Sequence, residues 1–335
     1  LARALSLGPA PRNPVVFLLV DGEEAGLLGA QAFVDAHPFA ADIGVAVNLD
    51  AGGTRGVTSI TRTSPGNARI IDAFSAVVPR PYGASVIGAV YGLTPYDTDF
   101  SVYKKAELPS IDLGFGEDKA HYHTRLDNLD NLDPASLQHL GDTALALVRK
   151  LADDDLSTPH PGDRVFLDAL GLTLLAWPTL LTPFLALLAL ALLSLATWRL
   201  RHVPKDTSSR WLTALAFPLL LAAPALVGSA LAWLLATLTA AEVPGHADPR
   251  PARLAVWAAT LAASALISTI LLRRLGPTRL NLAVWWSLAA LATALALAAP
   301  AAAVGVLPPV LLTAVLLAWS SRHVSKDMPH WTDAS

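Results

Sequence analysis

Two adjacent acids, Glu23 and Glu24, a third acid at Asp50 and an imidazole at His123 are the side chains whose types could act together on a bond. Carboxylate oxygens and an imidazole nitrogen are donors that divalent zinc accepts, and the chain has no cysteine to offer a thiolate instead. A carboxylate near such an ion, but not bound to it, can serve as general base toward an activated water. The chemistry suggested is metal-assisted hydrolysis. Taken singly, each group has a plainer use. Two acids at a helix start are favoured by the macrodipole, an Asp before two glycines suits a turn, and a loop histidine is ordinarily solvated. The functional reading depends on their convergence.

The elements around these residues predict that convergence. Pro14 to Val20 (PVVFLLV) is a continuous apolar run, the pattern of a strand buried on both faces of an α/β sheet. It ends in Asp21-Gly22-Glu23-Glu24, and from Glu24 to Ala36 the apolar positions recur at helical spacing. Ile43 to Asp50 (IGVAVNLD) repeats the design, a β-rich run ending in an acid before Gly52 and Gly53. Val57 to Thr63 reads as a third strand, Pro65 to Val78 and Asp97 to Ala106 as helices, and Pro109 to Gly114 (PSIDLG) as another short strand. A polar loop with His121, Tyr122 and His123 follows. Asp133 then caps a helix that opens on Pro134 and runs to about Leu151. Open α/β sheets place their sites at the carboxyl ends of the strands, which is where Glu23, Glu24, Asp50 and His123 fall.

The chain of 335 residues is 53% hydrophobic and only 15% charged, a composition unlike that of a soluble domain. A net charge of −3 excludes a nucleic-acid binder held by a basic surface. Residues 1–164 carry 13 basic and 21 acidic side chains, whereas residues 165–335 carry 11 and 6 and all nine tryptophans. In that second part 169–198, 211–241, 254–272 and 280–321 are free of charge, each at or above the roughly 18 residues that span a bilayer. The last is long enough for two spans with a turn at Pro300, Gly305, Pro308 and Pro309, so five helices are expected, kinked at Pro178, Pro183, Pro218 and Pro224. Trp177, Trp198, Trp211, Trp257, Trp285 and Trp319 lie mostly near the ends, where indole prefers the interface.

Arg199, Arg201, Lys205 and Arg210, then Arg273, Arg274 and Arg279, then Arg322 and Lys326 mark alternate connections as cytoplasmic, so residues before the first span face the other side. No acid or base lies within a span, which speaks against transport and for an anchor. High Ala and Leu use and the absence of Asn-X-Ser/Thr sequons favour a bacterial cell envelope over a eukaryotic lumen.

Val15 to Phe33 (VVFLLVDGEEAGLLGAQAF), Asn48 to Gly53 (NLDAGG), Thr98 to Phe100 (TDF) and Tyr122 to Asp127 (YHTRLD) resemble, in order and spacing, the signatures of co-catalytic zinc aminopeptidases, the family that also contains glutamate carboxypeptidase. The membrane-bound branch, typified by the endoplasmic reticulum metallopeptidase and the fungal vacuolar membrane protease, is the most similar. The resemblance implies an α/β domain with a central, mostly parallel mixed sheet flanked by helices, followed by an all-α transmembrane bundle. The expected division is a zinc peptidase domain at 1–155, a linker at 156–168, a membrane domain at 169–322 and a cytoplasmic tail at 323–335.

By resemblance, Glu23 is the general base, Glu24, Asp50 and His123 are metal ligands, and the Tyr122 hydroxyl helps hold the developing oxyanion. Asp99 and Asp127 would orient their neighbours, or simply serve as turn or capping acids, and His121 would be a bystander. Two zinc ions per complete site, peptide substrates with a free amino terminus, and the lipid bilayer are the partners implied; the oligomeric state is left open. The family also requires a His, Asp pair and a bridging Asp before the DGEE run, and Leu1 to Val20 contain no His, Asp or Glu. The expectation is thus of a chain shortened at its start, with three of five ligands and little activity by itself. Two alternatives stay open: a glutaminyl cyclase-type single-zinc transferase, and a catalytically silent ectodomain on a membrane scaffold.

Overall fold

Ser110–Gly114, expected as a short strand, is the fully buried centre of a three-stranded sheet in the computed structural model of the chain. The structure describes residues 1–94, 96–119, 121–200, 210–239 and 249–324. They fall into two units, Leu1–Thr182 with Ala299–Gly305, and Pro183–Ala298 with Val306–Ser335.

In chain order the first unit contains α1 (Ala2–Ser6), α2 (Leu28–Ala36), a 3-10 turn (Pro38–Asp42), β1 (Ala46–Leu49), β2 (Ser59–Thr63), α3 (Ala68–Val77), α4 (Ser85–Tyr91), α5 (Phe100–Lys105), β3 (Ser110–Gly114), α6 (Pro134–Asp153), β4 (Arg164–Asp168) and β5 (Leu174–Pro178). Strand β3 lies between β1, to which it is parallel, and β2, to which it is antiparallel. The expected α/β class with a mixed sheet is what the structure has, though its pairings are one parallel and one antiparallel, not mostly parallel. Side chains alternate across a strand. Ile111 and Leu113 accordingly join Ile70, Ile71 and Phe74 of α3 and Leu147 and Leu151 of α6 in the main core, while Asp112 between them belongs to the opposite face. Helix α6 opens as expected, with Asp133 accepting hydrogen bonds from the Ala135 and Ser136 amides and Pro134 in the first turn.

Three expectations are corrected. Pro14 to Val20 is not a strand: no described strand pairs with it, and Val16, Phe17, Leu18 and Leu19 are exposed, Leu19 at 96%. An apolar run becomes a strand only where a neighbouring edge takes up its amides and carbonyls. The DGEE acids do not begin a helix either. Helix α2 opens at Leu28, because Gly22 (φ 71°) and Leu27 (φ 62°) hold left-handed conformations that an α-helix cannot pass through.

The third correction concerns the presumed linker at 156–168 and the start of the first span. This stretch contains β4 and β5, an antiparallel hairpin with Val165, Phe166 and Leu174 at 5% exposure or less. Absence of charge places residues 169–180 in the span, yet Leu174–Pro178 form a strand whose two faces both pack on apolar neighbours. Pro178 therefore ends β5 and kinks no helix. Helix α4 was not foreseen.

The second unit is helical: α7 (Leu181–Arg199), α8 (Arg210–Thr239), α9 (Pro249–Ala298) and, after α10 (Pro300–Ala303) of the first unit, α11 (Leu307–Val324). Helix α9 breaks at Gly276 (φ 70°, ψ 162°) ahead of Pro277. Among the described residues, four apolar segments are long enough to cross a membrane: Leu181–Arg199, Pro218–Leu238, Arg250–Pro277 and Arg279–Ala298. The fifth expected span, in α11, is apolar but shorter. Pro218 and Pro224 lie inside α8, as foreseen. Small residues mediate the packing, with Ala189 and Leu193 against Ala289, Val310 and Ala314, which lets helix backbones approach closely in lipid. Arg201, Lys205, Lys326 and the side chain of Trp211 lie outside the described residues.

Candidate active site

The chain delivers Asp50 to the end of β1 through a close approach that one residue type allows. A Cβ on Gly114, at the end of β3, would stand 2.0 Å from the Asp50 carbonyl oxygen, so glycine is what lets the β1 exit lie against β3. The Asp50 amide donates to the Leu113 carbonyl at 3.0 Å, which extends the parallel register by one step. The acids Glu23 and Glu24 sit in a tight turn, not on a helix. The Glu23 carbonyl accepts from the Gly26 and Leu27 amides, the Gly22 carbonyl from Leu28 and the Asp21 carbonyl from Gly29.

Glu24 and His123, 99 residues apart, meet at 2.5 Å between Oε1 and Nε2. The Tyr122 ring stacks on His123, with centroids 3.8 Å apart and planes at 22°. His123 takes φ 58°, a left-handed conformation that costs a non-glycine residue energy and is found preferentially at functional positions. Since the Glu24 and His123 side chains are 69% and 53% exposed, their contact adds at most about 1 kcal/mol of stability. Packing is therefore not what requires the arrangement.

Electrostatics tie the remaining acids to this pair. Burial raises the Glu23 carboxyl above its ordinary range, and the charges of Asp50, Glu24 and Asp99 push it further. Burial also raises Asp50, with Asp112, Asp99 and Glu24 adding to it. Asp99, 7% exposed, is raised by burial and by Asp112, and its Oδ1 is buried without a hydrogen-bond partner. Tyr122 is pushed up to about 12 by burial and by Glu24, Asp50 and Glu23, so its hydroxyl stays protonated and able to donate. Mutually repelling carboxylates with an orphaned oxygen among them have the charge and donor chemistry a divalent cation would satisfy.

The predicted residues are thus brought together in part. Glu24 touches His123, and Glu23, Asp50, Asp99 and Tyr122 lie within electrostatic reach. Among the described residues no three His, Asp or Glu side chains close to a ligand cluster. Asp127 is exposed on the loop, where its amide donates to the Thr124 carbonyl. The Nδ1 of His121 is buried without a partner.

Sequence reasoning missed the support beneath the site. Asp112, 2% exposed, accepts from Arg62 through Nε (3.1 Å) and Nη2 (2.9 Å), from Thr98 Oγ1 (3.2 Å) and from Asn48 Nδ2 (2.9 Å). Arg62 also reaches Asp97 at 3.1 Å and lies over the rings of Tyr91 and Phe100, 4.2 and 4.7 Å from their centroids. The network joins β1, β2, β3 and the start of α5, the elements that hold Asp50 and Asp99. Its available signal was an acid inside the apolar run PSIDLG and a base inside the strand TRT, since unpaired charges are almost never buried.

No solved structure matches the chain. Endoplasmic reticulum metallopeptidase 1 of Mus musculus is 35% identical over 185 residues, 53% of this chain and 21% of that protein. The Homo sapiens protein of the same name is 34% identical over 177 residues, 51% of this chain and 20% of its own length. The vacuolar membrane protease of Candida albicans (strain SC5314 / ATCC MYA-2876) is 34% identical over 151 residues, 44% of this chain and 18% of its own length. The chain thus matches about a fifth of the length of these relatives. Residues 1–148 match Peptidase family M28. Over those residues, the likeness that the four motifs carry is a likeness to Peptidase family M28.

Proposed function

We propose that this chain is part of a membrane-anchored metallopeptidase, of aminopeptidase type, whose catalytic domain faces away from the cytoplasm. The observation that carries the reading is the contact between Glu24 and His123 beneath Tyr122, flanked by Glu23, Asp50 and Asp99. The similarity of residues 1–148 to Peptidase family M28 supports it, as do the four segments long and apolar enough to span a bilayer. The basic residues at alternate connections support the orientation.

The donors Glu24, Asp50 and His123 suit zinc, which, when bound, would polarise the scissile carbonyl and lower the pKa of the attacking water. Glu23 then takes the water's proton and returns it to the leaving amine. A carboxylate beside the metal ligands, not itself bound to the ion, is placed for that double duty. Tyr122 keeps its proton and donates a hydrogen bond to the oxygen on which negative charge develops.

The test uses the protein that carries this chain, in its membrane, with amino-terminally free and amino-terminally blocked peptides. Chelation should abolish cleavage of the free peptides and zinc restore it, while Glu23→Gln should lower kcat by about 10²-fold or more with metal content unchanged. Cleavage indifferent to chelator, or to Glu23→Gln, refutes the assignment. Release of a cyclised amino-terminal glutamine would instead establish the single-zinc transferase, and metal-free protein without turnover the silent scaffold.

A further inference from the structure

We infer that residues 299–305, the turn between the fourth apolar segment and α11, are a built-in part of the extramembrane unit and not a free loop. The turn consists of Ala, Pro, Val and Gly alone, with no polar side chain in Ala299–Gly305. Connections at a surface normally carry polar residues to satisfy their backbone in water; one made only of apolar side chains needs a protein surface to lie on. It has one. Ala303 is fully buried and Val304 is 2% exposed. Val304 clusters with Ala84, which precedes α4, and with Val165 of β4, while Val86, Leu167 and Trp177 pack around them. Pro300 and Ala301 also line an open cavity of about 540 Å³ beside α4 and α5.

Because a packed unit cannot straddle a bilayer, the turn and residues 1–180 lie on one side of it, and the last apolar helix departs from that side. The sidedness rests on the proposed spans. The docking does not, and neither depends on the peptidase reading.

The chain's lack of cysteine supplies a clean background. A Cβ on Gly305 would stand 4.0 Å from the Val86 Cβ, inside the 3.5–4.5 Å range of disulfides. In the full chain in native membranes, Val86→Cys with Gly305→Cys should form a disulfide on mild oxidation, seen as a linked peptide by mass spectrometry. Independently, Val304→Asp should raise the alkylation rate of a lone Val86→Cys thiol, by placing a charge where a buried methyl cluster held the turn down. A double variant whose thiols both stay reduced under oxidation overturns the inference, and so does a Val86→Cys alkylation rate that Val304→Asp leaves unchanged.

Discussion

Replacing Arg62 with methionine removes the cation from beneath the site while keeping much of its apolar stem. The side chains of Arg62 and Asp112 are 12% and 3% exposed, so their pair is a buried one. Breaking a buried pair from one side costs about 3–5 kcal/mol, because the remaining charge is left without compensation. Here Asn48 and Thr98 still donate to Asp112, which places the loss near the lower end, about 3 kcal/mol. For a unit of this size that is a drop in Tm of about 6–12 °C. Asp112→Leu should cost no more than that, since Arg62 keeps Asp97, Thr98, Ser101 and the rings of Tyr91 and Phe100. The double variant should cost only about 2 kcal/mol, from the Asn48 and Thr98 donors that lose Asp112, with Asn48 still reaching Thr98 Oγ1 at 3.4 Å. The assay is thermal unfolding of the detergent-solubilised chain followed by tyrosine near-UV dichroism. All five tyrosines fall between residues 82 and 122, so the tyrosine part of this signal reports the first unit. If the double variant loses the sum of the two single losses, the groups do not compensate one another and the reasoning is wrong.

Gly114→Ala should unfold the sheet edge or displace Asp50, because the added Cβ meets the Asp50 carbonyl oxygen at 2.0 Å; a thermal midpoint within a degree of the parent would refute that close approach. Asp72 accepts from Arg164 and His160, and although burial raises its pKa these partners outweigh it and hold the carboxyl below the unfolded value of 3.8. A depressed folded pKa stabilises the fold above the unfolded value and is lost as pH falls through the folded one. The stability advantage over Asp72→Asn should therefore be full at pH 6 and shrink as pH falls below about 4 in urea titrations, and an advantage constant down to the acid limit would contradict it. Tyr122→Phe should reduce kcat on peptides by about 10²-fold with little change in KM if the hydroxyl donates only to the developing oxyanion; a KM effect alone would place it in substrate binding instead.

What was legible in the sequence follows from which forces act locally. The cap at Asp133 and the apolar period of α6 are short-range features, and the helix formed where they indicate. The strand ending at Leu49 and the buried strand at 110–114 were legible because β-rich apolar runs bounded by Gly and Pro have few other uses. Pro14 to Val20 has the same composition and failed, since strand formation depends on a partner edge supplied from elsewhere in the fold. Composition cannot carry that information. The β4–β5 hairpin failed for the complementary reason: a strand apolar on both faces reads, in a count of missing charges, like the start of a span.

The site divides along the same line. Glu23, Glu24, Asp50 and His123 stood out because acids after apolar runs and a histidine in a polar loop have a recognisable chemical use together. The residues that hold them stood out less, because each half of the Arg62–Asp112 pair is unremarkable alone: an arginine in a short strand reads as an edge residue, and an aspartate in another as a turn. Only the antiparallel register, which sets Arg62 opposite Asp112, and the parallel register, which sets Asn48 opposite the same residue, turn three ordinary side chains into one buried network. Candidate site groups are thus announced by type and local setting, whereas their supports are specified by pairing. A sequence reading improves most where it asks what a charge in the middle of a buried strand must be facing.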